Sequence, residues 1–245
     1  VIVYVGTSSS DTLQLATLQR VGASRTDQGV HAKGQCIHFD LPHEKEIGDI
    51  AEFQHSYNRM LPPDLKIYNM SIAPIPSDSS FPFHATISST GKQYIYRFCT
   101  NDYVDPMSRL YYTHFYYPFD LDLFKHCLSQ FIGTHDFSAY SNQIDRETKR
   151  LSEVYNISLR TTRTVEDIRV VEEGGGFYRV EFHLRSALYR MVRNIVGSSL
   201  FVAEGQMSLS MLQQMLHGGC NRRDNPAKSA PANGLTLQHV YYETY

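Results

Sequence analysis

The residues best able to do chemistry stand together early in the chain, in Arg25-Thr26-Asp27-Gln28-Gly29-Val30-His31-Ala32, a polar turn that runs into a strand-like segment at residues 35–39. Asp27 offers a carboxylate, Arg25 a cation two residues away, Thr26 a hydroxyl, and Gly29 the backbone freedom of a tight turn. The plain reading is an Asx turn, in which the carboxylate satisfies its own backbone. The chemical reading is a carboxylate at a glycosidic bond, where one ionised acid can act as nucleophile or stabilise an oxocarbenium-like state. The residues alone leave both open.

Other candidates are weaker. His31, His38, His135 and Asp136 invite a hydrolase or metal reading, but their spacing matches no ligand motif, so no metal is expected. Cys36, Cys99, Cys127 and Cys220 are scattered, which suits reduced, buried thiols in a reducing compartment. The glycines at residues 174–176 read as a hairpin, because a phosphate-binding loop would lead into a helix with Lys and Ser or Thr.

The positioning elements can be read from pattern. β-branched and aromatic runs at residues 1–5, 35–39, 65–72, 93–99, 154–159, 177–184 and 235–242 predict strands. Helical spacing predicts helices near residues 47–57, 121–131 after an Asp120 cap, and 11–20. The strongest helix is expected over residues 186–203, with Leu188, Met191, Val192, Ile195, Val196 and Ser199 on one stripe and Arg190, Arg193, Asn194 and Gly197 on the other. Residues 73–82, rich in proline and serine, read as a connector. The expected fold class is α+β, in two halves at residues 1–86 and 87–245 with mainly antiparallel sheets flanked by helices.

With 42% hydrophobic and 20% charged residues, the 245-residue chain has the composition of a soluble globular protein, and it contains no apolar run of membrane-spanning length. An intracellular protein that does not contact membrane is expected, cytoplasmic first, with nucleus or organelle as the other compartments. The formal net charge is -2, yet it is unevenly spread. Residues 146–228 carry 13 Lys or Arg against 9 Asp or Glu, a local +4, and the remainder carries 10 against 16, or -6. A one-sided basic surface would attract phosphate backbones.

The Asp27 segment closely resembles the signature loop of TruA-type tRNA pseudouridine synthases, and four further segments follow in that family's order. Lys92-Gln93-Tyr94-Ile95-Tyr96-Arg97-Phe98, preceded by Phe83-His84-Ala85, is similar to its tyrosine strand. Gly133-Thr134-His135-Asp136-Phe137-Ser138 resembles its G-x-x-D-F motif, and Tyr189-Arg190-Met191-Val192-Arg193-Asn194-Ile195-Val196-Gly197 its arginine helix. Ala230-Pro231-Ala232-Asn233-Gly234-Leu235 resembles its closing motif. One departure stands at the start, where Tyr4-Val5-Gly6-Thr7 only partly matches the family's Tyr-Asp-Gly-Thr and no tryptophan follows.

The resemblance implies a pseudouridine synthase fold with a central active-site cleft, and conversion of uridine to pseudouridine in tRNA, typically in the anticodon stem-loop, without cofactor. It assigns catalysis to Asp27, with Arg193 expected to pair with that carboxylate and Tyr94 to stack on the target base. Arg25 is expected to enter the space a flipped nucleotide leaves, His31 and Arg190 to join it in binding RNA, and the protein to form a homodimer. Two rivals are a catalytically silent tRNA-binding protein or chaperone on the same scaffold, and a glycosidase that lets water capture the ribose.

Overall fold

A computed structural model describes residues 2–7, 20–41, 48–73, 82–155 and 158–243. The chain divides into two compact units, Val1–Tyr94 with Leu235–Tyr245, and Ile95–Gly234. The division differs from the expected one at residue 86, because the last strand pairs with strands of the first unit instead of staying with the second half.

In the first unit, β1 (Ile2–Thr7) pairs antiparallel with both β3 (His31–Phe39) and β4 (Leu65–Ser71). The short β2 (Arg20–Gly22) adds antiparallel to β3. On the other edge of β3, β10 (Leu235–Tyr242) runs parallel, with Thr236 opposite His31 and Leu237 opposite Ala32. Helix α1 (Ile50–Met60) starts at Asp49, whose carboxylate accepts from the Ala51 and Glu52 amides. Its apolar stripe, Ile50, Phe53 and Tyr57, packs on Phe39, Leu65, Ile67 and Met70. Asn58 locks that packing by bonding both the N–H (2.8 Å) and the C=O (2.7 Å) of Ile67. The Phe83-His84-Ala85 segment is docked by His38, whose Nδ1 accepts from the Ala85 amide at 3.1 Å, and by Tyr242, whose hydroxyl donates to the Ala85 carbonyl at 2.7 Å.

The strand β5 (Ser89–Cys99) begins in the first unit and ends in the second, where β6 (Thr113–His114) pairs with it in parallel. The second unit then builds an antiparallel run of β7 (Gly133–Asp136), β8 (Thr162–Gly174) and β9 (Phe177–Leu184). Asp120 caps α2 (Leu121–Ser129), as its position before the apolar periodicity predicts. The unit's core includes Phe98, Phe115, Phe124 and Tyr178 around the end of β5, and Phe131, Phe137 and Tyr140 under the G-x-x-D-F segment. Helices α3 (Ile144–Tyr155), α4 (Met191–Ala203) and α5 (Leu209–Leu216) complete it. The whole is a mixed α+β protein with mainly antiparallel pairing and flanking helices. No described helix is long and apolar enough to cross a membrane.

Two sequence expectations are corrected. The strand expected at residues 154–159 is in part the end of α3, a helix carried by an acidic first turn at Asp145 and Glu147 and by the spaced pairs Glu147–Arg150 and Lys149–Glu153. The helix expected from residue 186 begins only at Met191, because Arg190 adopts a left-handed conformation (φ 61°) that interrupts helical continuation. On its second stripe Arg193, Asn194 and Gly197 are buried along with the apolar residues. The helix expected at residues 11–20 and the connector at residues 73–82 lie almost wholly outside the described residues.

Candidate active site

The segment bearing Asp27 leaves β2 and crosses to β3 as irregular backbone, so its own peptide groups need partners from elsewhere. They find them in succession. The carbonyls of Gly22, Ala23 and Ser24 accept from Thr86 Oγ1 (2.8 Å), Lys92 Nζ (2.6 Å) and Gln35 Nε2 (2.6 Å). The Ala23 amide donates to the Cys36 carbonyl (2.8 Å) and the Ser24 amide to Gln35 Oε1 (3.2 Å). Beyond this base the chain closes a β-turn through the Val30 amide and the Asp27 carbonyl, 3.0 Å apart, with Gly29 at φ 80°. A positive φ at the third position is what a type II turn requires, and glycine supplies it without a Cβ clash.

Tyr94 lies on β5, is 5% exposed, and shares a 2.8 Å hydrogen bond with Ser24 Oγ, the last residue of the loop base before Arg25. Burial raises the phenol's pKa most, the Ser24 bond lowers it, and the negative charge of Asp27 raises it further. Burial, with the charge of Asp27 adding to it, therefore holds Tyr94 as a neutral phenol. Lys92 lies two residues earlier on β5, 6% exposed, with its pKa pulled down to about 8 by burial. Strand alternation gives Lys92 and Tyr94 one face.

Arg193 belongs to the second unit, on the first turn of α4, and is 9% exposed. Its Nε donates to the Ala230 carbonyl at 2.7 Å, and the Ala230 amide donates back to the Arg193 carbonyl at 3.0 Å. This reciprocal pair ties the helix to the closing motif, where Tyr96 donates to the Pro231 carbonyl at 3.0 Å. Burial pushes the Tyr96 phenol far up, opposed by its Thr113 bond and by the positive charge of Arg193. Asn194 holds the same junction from the next position: its amide donates to the Tyr140 carbonyl (2.7 Å) and to Asn142 Oδ1 (2.9 Å), while its oxygen accepts from Ser229. Close approach is enforced at Gly197, where a Cβ would stand 2.0 Å from the Lys228 carbonyl oxygen.

Of the residues singled out in the sequence, Arg25, Asp27, His31 and Tyr94 fall in the first unit, and Arg190 and Arg193 in the second. Arg25 is exposed and Asp27 half-buried on the turn. His31 opens β3 and is only 6% exposed, so it presents little surface to a ligand. Arg190 is half-buried, with its guanidinium carbon 5.2 Å from the centre of the Tyr189 ring. The supporting residues Gln35, Thr86, Lys92 and Asn194 were not expected to matter. A signal existed for Lys92, a charged residue in register with Tyr94 and Tyr96 on a strand that otherwise reads as core. Among the described residues no group of three or more His, Cys, Asp or Glu side chains could hold a metal ion.

Comparison with known proteins matches residues 128–243 to a tRNA pseudouridine synthase family model. The tRNA pseudouridine synthase A 1 of Protochlamydia amoebophila is 35% identical over 223 residues, covering 91% of this chain and 79% of that protein. That of Desulfotalea psychrophila is 36% identical over 221 residues, covering 90% and 82%. The tRNA pseudouridine synthase A of Latilactobacillus sakei is 31% identical over 228 residues, covering 93% and 83%.

Proposed function

The chain belongs to the TruA-type tRNA pseudouridine synthase family, and on that footing we propose that it isomerises uridine to pseudouridine in tRNA with Asp27 as the catalytic carboxylate. In this reaction the bond from ribose C1′ to N1 of uracil breaks, the base turns, and C1′ joins C5. The C5 proton leaves and N1 gains one, so product and substrate have the same atoms and no redox step occurs. A carboxylate serves either as the nucleophile at C1′ or as the base at C2′, and both roles require it to be ionised and aimed. The observation that carries the reading is the Asp27 turn itself, rooted in a base of bonded carbonyls and joined through Ser24 to the buried phenol of Tyr94.

The other roles follow in the same proposal. Tyr94 supplies a flat, neutral ring for the base, a contact worth about 1–3 kcal/mol in nucleic-acid sites. Arg193 supplies the cation that holds the carboxylate ionised, a role that rests on the family resemblance. Arg25, exposed beside the turn, occupies the gap left by an extruded nucleotide. Arg190 contacts the RNA backbone, and His31, being buried, contributes through the turn it follows. Two similar halves, a central cleft, a homodimer and the anticodon stem-loop as target belong to the same proposal.

Wild-type protein incubated with an unmodified tRNA transcript is the test, with pseudouridine mapped along the RNA and free uracil assayed in parallel. Pseudouridine without uracil is expected. Released uracil would make the protein a glycosidase, and tRNA binding without either product would leave only a binding protein.

A further inference from the structure

Three consecutive carbonyls at the root of the Asp27 turn take hydrogen bonds from side chains, and the three donors differ in kind. Thr86 and Gln35 are neutral, whereas Lys92 brings a charge into a place where it is 6% exposed. Burying an ammonium costs free energy, and burial accordingly draws the Lys92 pKa down to about 8, so at neutral pH the folded state carries the full penalty of the charge. A neutral donor would satisfy the Ala23 carbonyl at lower cost. What the ammonium adds is a charge-assisted bond, shorter and roughly twice as strong as a neutral one. It is short here, at 2.6 Å, and it acts one residue before Ser24, which Tyr94 grips from the same strand face.

We propose that Lys92 is a positioning residue for the reaction assigned to Asp27, fixing the Ala23 carbonyl so that the turn presents its carboxylate in one orientation. Lys92 does not touch the reacting atoms; it acts through the backbone of residues 23–27. The inference rests on the proposed role of Asp27 and adds a residue which that proposal does not contain. It also gives the Lys92-Gln93-Tyr94 order a physical meaning, since alternate residues of β5 hold adjacent residues of the loop base.

The test is Lys92→Met, with Lys92→Gln as the variant that keeps a neutral donor and carries the test if the first does not fold. Three quantities are measured: kcat and KM for pseudouridine formation in tRNA, the Tm, and amide hydrogen exchange across residues 23–30. For Lys92→Met we expect kcat to fall about tenfold or more, the scale of misplaced catalytic groups, with KM little changed. Exchange should rise in residues 23–30 and not in β3 or β5, and the Tm should change by only a few degrees, since relief of the buried charge opposes the loss of a donor to the Ala23 carbonyl. Lys92→Gln should fall between. An unchanged kcat, or a loss that tracks a lower Tm and faster exchange throughout the unit, would overturn the positioning role. A wild type that yields no pseudouridine would overturn the functional reading itself, an outcome separate from an active wild type indifferent to Lys92.

Discussion

Asp27 sits on a turn fastened at its root by side chains reaching in from Thr86, Gln35 and Lys92, whereas Arg193 sits on a helix fastened along its length by packing. The turn has no periodic hydrogen bonding of its own, so each peptide group at its base needs a dedicated partner. The helix satisfies its backbone internally, and the extra bonds at its start, from Arg193 to Ala230 and from Asn194 to Tyr140, set direction more than existence. The first arrangement can be loosened one side chain at a time. The second tolerates almost no added volume at Gly197.

Outside the turn, the largest effect is expected at Arg193. Arg193→Ala should lower kcat by about 10²-fold, the scale seen when one electrostatic partner of a reacting centre is removed. Circular dichroism should show the fold retained, and near-normal turnover would remove the residue from the site. Volume is the sharper test of the helix: Gly197→Ala puts a methyl 2.0 Å from the Lys228 oxygen, which is backbone and cannot swing aside. A destabilisation of about 3 kcal/mol is expected, with the Tm falling by about 6–12 °C. On the turn side, Gln35→Ala strands both the N–H and the C=O of Ser24 and should cost about 1–3 kcal/mol. Hydrogen exchange should localise that loss to residues 23–30, and a uniform loss across the unit would erase the contrast between turn and helix.

The smallest effect is one of pH. At Asp136 burial raises the carboxyl pKa, but bonds from the Ser138 amide and hydroxyl and from Thr161 outweigh it, and the net shift is downward. A depressed folded-state pKa contributes stability that is present above the ordinary carboxylate value and is lost as pH falls through the lowered one. Asp136→Asn should therefore show a weaker dependence of Tm on pH in the acid range than wild type.

The same contrast explains what could be read in the sequence. The Asp120 cap, α2, β4, β9 and β10 follow from local pattern: the cap precedes an apolar period, α2 and β9 each bury one face, and β4 and β10 are rich in strand-forming residues. Asp27 stood out by its glycine-bearing turn, while Gln35, Thr86 and Lys92, which bond the base of that turn at residues 22–24, lie 8, 59 and 65 positions from Asp27 and are united only by folding. Arg193 was visible as part of a helix but was placed on a polar stripe. Periodicity reports which residues are apolar, and cannot show that a polar residue is buried against the carbonyl of Ala230. The late start of α4 was hidden for a similar reason, because an arginine at φ 61° carries no mark of it in its residue type. Likewise β10 was legible as a strand but not as a partner of β3, an association set by long-range pairing.

The central claim, that the carboxylate of residue 27 carries the chemistry, is tested most directly by Asp27→Asn under single-turnover conditions with enzyme in excess over unmodified tRNA. The account predicts tRNA affinity within a few-fold of wild type and pseudouridine formation slowed by about 10³-fold or more, as for loss of an essential nucleophile or base. Pseudouridine formed by Asp27→Asn at the wild-type rate would contradict it.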